Sequence, residues 1–158
     1  MKKYLFLDID GVLNNYDWYE YRHDNPGNFN CKGLEWVKSE IDPECVKRVI
    51  RILESTGAEL VISSNWRGDP DLKKKFELVG LPLEFDITPY VFIGDEHAIR
   101  GEEIKKYLDG HEPGNYAILD DGIDMREDQM DHFVNTDFMD GLTDRLADRV
   151  IEILNKEK

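Results

Sequence analysis

Cysteine is scarce in these 158 residues: Cys31 and Cys45 stand alone, too few for a disulfide scaffold and without metal-type spacing, so free thiols in a reducing compartment are expected. Four histidines, His23, His97, His111 and His132, are scattered and receive no metal role. No apolar run approaches the roughly 20 residues of a membrane span. The run after Lys2 and Lys3 is cut by Asp8 before it reaches signal length, which predicts a cytoplasmic protein with no membrane partner. Basic residues are in deficit, 20 against 34 acidic, for a net charge of −14. That balance repels phosphate backbones and excludes binding along a long nucleic-acid tract. Internal repeats, low-complexity tracts and linkers are absent from the sequence.

What is present is a folded composition, 41% apolar and 34% charged, long enough for one core and read as a single domain over residues 1–158. The short apolar runs "YLFL" (4–7), "AELVIS" (58–63) and "YAILD" (116–120) are predicted strands covered on both faces. "LEFDIT" (83–88) and "HFVN" (132–135) are weaker strands. Between them, Asp42-Pro43 opens a helix with apolar Val46, Val49, Ile50 and Leu53, closed by Gly57. Residues 69–80, 100–110 and 143–154 predict three more helices. Alternation of this kind implies an α/β, Rossmann-like three-layer sandwich whose ligand site lies beyond the carboxyl ends of the strands. The segment 14–41 interrupts the pattern. Its aromatics Tyr16, Trp18, Tyr19 and Tyr21 and the turn signal Asn25-Pro26-Gly27-Asn28 predict a small hairpin or flap over the site.

Three strand ends carry the polar groups that a phosphate and a hard cation require: Asp8 and Asp10, then Ser63, Ser64 and Asn65, then Asp120 and Asp121. Gathered carboxylates repel one another unless a cation sits among them, and a small set of oxygen ligands suits Mg²⁺. An ionised Asp8 can attack phosphorus. Asp10, two residues on, can protonate the leaving oxygen and later deprotonate water.

At this point "DIDGVLN" resembles the first motif of the haloacid dehalogenase-like (HAD) phosphohydrolases, Rossmann-like enzymes with an aspartate nucleophile and Mg²⁺. "ELVISSN" is similar to the second motif, which makes Ser63 or Ser64 the phosphate-binding hydroxyl. Arg100 in "RGEEIKKYL" takes the place of the third-motif cation, with Lys105 and Lys106 as alternatives. "YAILDDG" looks like the acidic fourth motif and implies Asp120 and Asp121 as metal ligands beside Asp8 and Asp10, the last through its main-chain carbonyl. "SSNWR", "RGEEI" and "DGLT" resemble the small HAD domains found in RNA-repair proteins. The resemblance runs from residue 4 to about 142. It implies a five-stranded sheet in the order 3-2-1-4-5 with no large cap domain.

Trp66 and Arg67 follow the second strand and can flank a phosphate or stack on a base, or simply pack. The predicted activity is Mg²⁺-dependent phosphomonoester hydrolysis through an aspartyl-phosphate, on a phosphorylated nucleotide, another phosphorylated small molecule or a nucleic-acid end, with Ser64, Asn65 and Arg67 at the substrate. A phosphoprotein phosphatase and a non-catalytic phosphate- or protein-binding module are the alternatives.

Overall fold

The computed structural model describes residues 1–29, 32–112 and 114–157. Its strands are β1 (Lys2–Leu7), β2 (Glu59–Ile62), β3 (Asp86–Ile87), β4 (Phe92–Ile93), β5 (Glu96–His97), β6 (Gly114–Asp120) and β7 (Phe133–Asn135). Its α-helices are α1 (Tyr16–Asp24), α2 (Val37–Glu40), α3 (Pro43–Thr56), α4 (Leu72–Val79), α5 (Arg100–Asp109) and α6 (Asp144–Asn155).

Successive side chains of a strand face opposite sides of its sheet, and the apolar residues sort accordingly. Leu5, Leu7, Leu60, Ile62, Ala117 and Leu119 pack with α3, α4 and α6 on one side. Tyr4, Phe6, Val61 and Ile118 meet Ile104 and Tyr107 of α5 on the other. Both faces are covered, which is why the strands read as unbroken apolar runs. The main sheet is parallel throughout, in the order β3-β2-β1-β6-β7. Leaving out the small antiparallel pair β4-β5, this is the expected Rossmann-like arrangement.

The helix ends obey local chemistry. Asp42 accepts a hydrogen bond from the Glu44 N–H at 2.9 Å, Pro43 takes the first position of α3, and Gly57 closes it at φ 69°. α4 begins three residues later than the expected start at residue 69, because the Asp69 side chain accepts from the Asp71 N–H and shapes a turn instead. Among the described residues, no helix is long and apolar enough to cross a membrane. Cys45 is a buried free thiol pushed up to about 12 by burial. Cys31 lies outside the described residues.

Two segments differ from expectation. Residues 14–41 contain no strand among those described. They form α1, short 3₁₀ turns at Pro26–Asn28 and Gly33–Trp36, and α2. The helix wins because Asn15 caps it, accepting from the Trp18 N–H at 2.8 Å, and because Trp18 and Tyr19 bond Ser39 and Glu40 across to α2. The aromatics therefore hold the insertion together. The second difference is the β4-β5 hairpin, a place for which no element was predicted. Its two-residue turn starts on Gly94 at φ 66°, the glycine-first arrangement that suits the twist of a hairpin.

Candidate active site

Strand register places the candidate residues in one row. Leu7 pairs with Ile62 on one side and with Leu119 on the other. The next residue on each strand is Ser63, Asp8 or Asp120. The Asp8 N–H donates to Leu119 O at 3.0 Å and the Ser63 N–H to Leu7 O at 2.9 Å, which extends the pairing one residue beyond the strands. One oxygen from each of Asp8, Asp120 and Asp121 lies within 4.8 Å of the others.

Asp8 and Asp120 are buried and Asp121 is exposed. Burial and the neighbouring Asp120 charge push Asp8 up to about 8, although the Ile9 N–H bonded to its Oδ1 opposes the shift. Burial likewise raises Asp120 to about 6, against the Gly122 N–H and Arg100. Gly11 is a glycine for two reasons. Its φ is 77°, and a Cβ there would stand 2.1 Å from Asp121 Oδ2. The glycine thus lets Asp121 approach the first strand end.

The carboxylate of Asp10 is held apart from this group. Its Oδ1 accepts from the Asn14 amide at 2.9 Å and its Oδ2 from the Trp66 indole N–H at 3.1 Å. Asn14 is anchored in turn by accepting from the Gly11 N–H at 2.8 Å. Sequence reasoning did not single out Asn14. The available signal was two consecutive asparagines directly after the buried pair Val12 and Leu13.

Ser63 and Ser64 are both buried, with different fates. Ser64 Oγ accepts from the Trp66 N–H at 3.2 Å and caps the 3₁₀ turn Asn65–Gly68. The buried Ser63 Oγ has no hydrogen-bond partner among the described residues. A hydroxyl left unmatched beside a carboxylate cluster is costly unless a ligand completes it.

Arg100 Nε lies 3.8 Å from Asp120 Oδ2, and its Nη1 lies 3.3 Å from Glu103 Oε1. Lys105 pairs with Asp109 at 2.5 Å and Lys106 is exposed, both further along α5. Arg67, expected at the substrate, is buried. It pairs with Glu103, donates to Ser64 O at 3.2 Å, and lies over the Tyr90 ring at 4.0 Å. Asn65 is exposed on the rim and lines a cleft with Arg67, Tyr90, His97 and Arg100. Glu103 joins the two arginines, a role that its place inside a charged helix conceals. Asp124 accepts from the Arg100 N–H at 3.0 Å and so caps α5 from a neighbouring loop.

With this geometry in view, a family model described as the HAD domain in Swiss Army Knife RNA repair proteins matches residues 4–147. The chain belongs to this HAD family. No curated protein and no solved structure gives a match. Membership agrees with the strand order and with the acidic strand ends, and it marks the chain generally as a HAD-type phosphohydrolase domain. The family typically uses a metal, and the residues present suit one. Three hard oxygen donors converge, two of them raised above their ordinary carboxylate range by burial.

Proposed function

We propose that this HAD domain is a Mg²⁺-dependent phosphomonoester hydrolase acting through an aspartyl-phosphate on Asp8. The observation that carries the proposal is the row of strand ends itself, with gathered carboxylates beside a buried hydroxyl that has no partner among the described residues. Asp8, Asp120 and Asp121 would hold the metal, with the Asp10 main-chain carbonyl. Bound Mg²⁺ supplies positive charge that keeps the carboxylates ionised and offsets charge on the phosphoryl oxygens.

Ser63 Oγ and the Arg100 guanidinium donate to the phosphoryl oxygens and fix phosphorus in line with Asp8. An Asp8 carboxylate oxygen attacks, the ester P–O bond breaks, and the leaving oxygen takes a proton from Asp10. In the second half, Asp10 removes a proton from water, which attacks phosphorus. The bond to Asp8 breaks and inorganic phosphate leaves. Asn14 and Trp66 hold Asp10 to one side of the carboxylate group, where a leaving oxygen and then a water would sit. The substrate is a nucleotide or a nucleic-acid end bearing a terminal phosphate, in keeping with the RNA-repair description of the family. The acidic net charge suits one terminal phosphate better than a long track.

The test is phosphate release from p-nitrophenyl phosphate with Mg²⁺, on the parent protein and on Asp8→Asn, with and without chelator. Release that needs both Asp8 and the metal is expected. Equal release by Asp8→Asn would exclude the mechanism.

A further inference from the structure

Beside Arg100 lies a cleft of about 430 Å³, lined among others by Asn65, Arg67, Tyr90, His97 and Arg100. Arg100 belongs both to this cleft and to the carboxylate group, through its 3.8 Å approach to Asp120. The cleft therefore opens onto the place where the phosphoryl group is held. His97 of β5 and Tyr90, two residues before β4, form part of its wall. Tyr90 and His97 have ring centroids 5.9 Å apart, and His97 and Phe92 have theirs 4.4 Å apart, so three rings adjoin. All three are exposed, with Phe92 57% accessible, and they join neither buried core cluster.

We infer that this cleft is a nucleobase subsite, in which the base of the nucleotide bearing the scissile phosphate stacks on Tyr90 and His97. The inference rests on the proposed phosphatase reading and deepens it. Four observations support an aromatic occupant. The Tyr90 ring is braced from one face by the Arg67 guanidinium at 4.0 Å, and Arg67 is itself locked by Glu103 and Ser64 O. A ring fixed in this way loses little freedom when a base stacks on it. Arg67 is only 7% exposed, yet its buried Nε has no acceptor among the described residues, which leaves an unmatched donor in the cleft wall. Glu103 pairs with both Arg67 and Arg100, and Asp124 adds a second acidic side chain to the lining, so the cleft favours a neutral planar group over a second phosphate or an acidic peptide. Finally, a strand pair of two residues each is too short to stand alone. The Ala98 N–H donating to Val91 O at 2.8 Å lengthens its ladder by one residue pair, and the Arg67-Tyr90 contact ties it down.

The experiment uses the full chain carrying Asp8→Asn, so that bound phosphate esters persist, with Mg²⁺ present. Equilibrium binding of adenosine 5′-monophosphate is compared with that of ribose 5-phosphate, which lacks the base, and with that of a 5′-phosphorylated oligonucleotide and a phosphoserine peptide. The mononucleotide should bind about tenfold more tightly than ribose 5-phosphate, in the range of one stacked base. Added Tyr90→Ala or His97→Ala should bring that ratio close to one, while Tyr90→Phe should retain it. Saturation-transfer NMR should place the base protons against aromatic side chains. An oligonucleotide that matches the mononucleotide identifies a nucleic-acid end as a source of the same chemistry. Equal binding of nucleotide and ribose phosphate, a ratio insensitive to both alanine substitutions, or tighter binding of the phosphopeptide would overturn the subsite. Asp8-dependent release from p-nitrophenyl phosphate stands independently of that ratio. A normal ratio with no such release would instead overturn the hydrolase reading and leave the subsite in place.

Discussion

Charge is arranged in opposite ways in two parts of this protein. Where α3 meets α6, Arg48 faces Asp144 at 3.0 Å and Arg51 faces Asp148 at 2.7 Å, with the acids in water. Each charge there has a partner and a solvent shell. At the strand ends, Asp8 and Asp120 are buried against each other, and Arg100 is a distant match at 3.8 Å. The first arrangement is close to neutral in energy and serves the surface. The second raises the energy of the metal-free fold and is stable only to the extent that protonation or a cation relieves it. The difference teaches where to look for function: charge that the protein leaves unbalanced is charge kept for a ligand.

The largest effect expected from this contrast is on turnover. Asp8→Asn should lower phosphate release by about 10³-fold or more, as loss of a nucleophile does. In metal-free protein at pH 8 the same change should raise the urea midpoint, because it removes a buried like charge. Loss of activity together with loss of stability would instead make Asp8 a structural residue.

Next comes the glycine that admits Asp121. Gly11→Ala forces a side chain into a left-handed conformation and against the Asp121 carboxylate, and should cost about 2 kcal/mol in urea unfolding. It should also weaken Mg²⁺ binding measured by calorimetry. Unchanged Mg²⁺ affinity would remove Asp121 from the metal set.

The pH dependence tests the unbalanced pair directly. Asp8 at about 8 and Asp120 at about 6 lie above the ordinary carboxylate value near 4. Between those values these two groups hold more protons in the folded state than in the unfolded chain, so the stability they contribute is fully present below about pH 4 and is lost as pH rises from about 4 to 8. Thermal midpoints of the metal-free protein should fall across that interval, and millimolar Mg²⁺ should flatten the fall. A flat metal-free profile would mean that the carboxylates are already compensated.

The smallest effect belongs to the balanced region. Asp148→Ala should leave turnover unchanged and barely move the urea midpoint, since one exposed ion pair contributes little. A large shift there would break the contrast from its other side.

Much of this arrangement was legible in the residues. The strands β1, β2 and β6 announced themselves because burial on both faces leaves no room for polar alternation, and the acids that end them stood out for the same reason. Asp8, Ser63, Arg100 and Asp120 could be placed because each ends a strand or begins a helix, where topology fixes direction. The insertion was harder. Tyr16, Trp18 and Tyr19 suit a strand by propensity, and only the capping bond from Asn15 and the contacts to Ser39 and Glu40 make them helical. The Asp10 tether was hidden too, since it depends on Trp66, 56 residues away. The pairing of Arg67 with Glu103 was equally hidden, because the two lie 36 residues apart and nothing local indicates it.

Because Ser63, Asp8 and Asp120 project from adjacent strands at matched register, the spacing between hydroxyl and carboxylates is set by main-chain pairing, at roughly 4.8 Å per strand. The sheet acts as a ruler whose divisions do not depend on which apolar side chains fill the layers beneath. Core substitutions should therefore exhaust the stability of this domain before they alter the distances across which it acts. Changes that slip one strand against the next should do the reverse, leaving a folded protein whose reactive groups no longer line up.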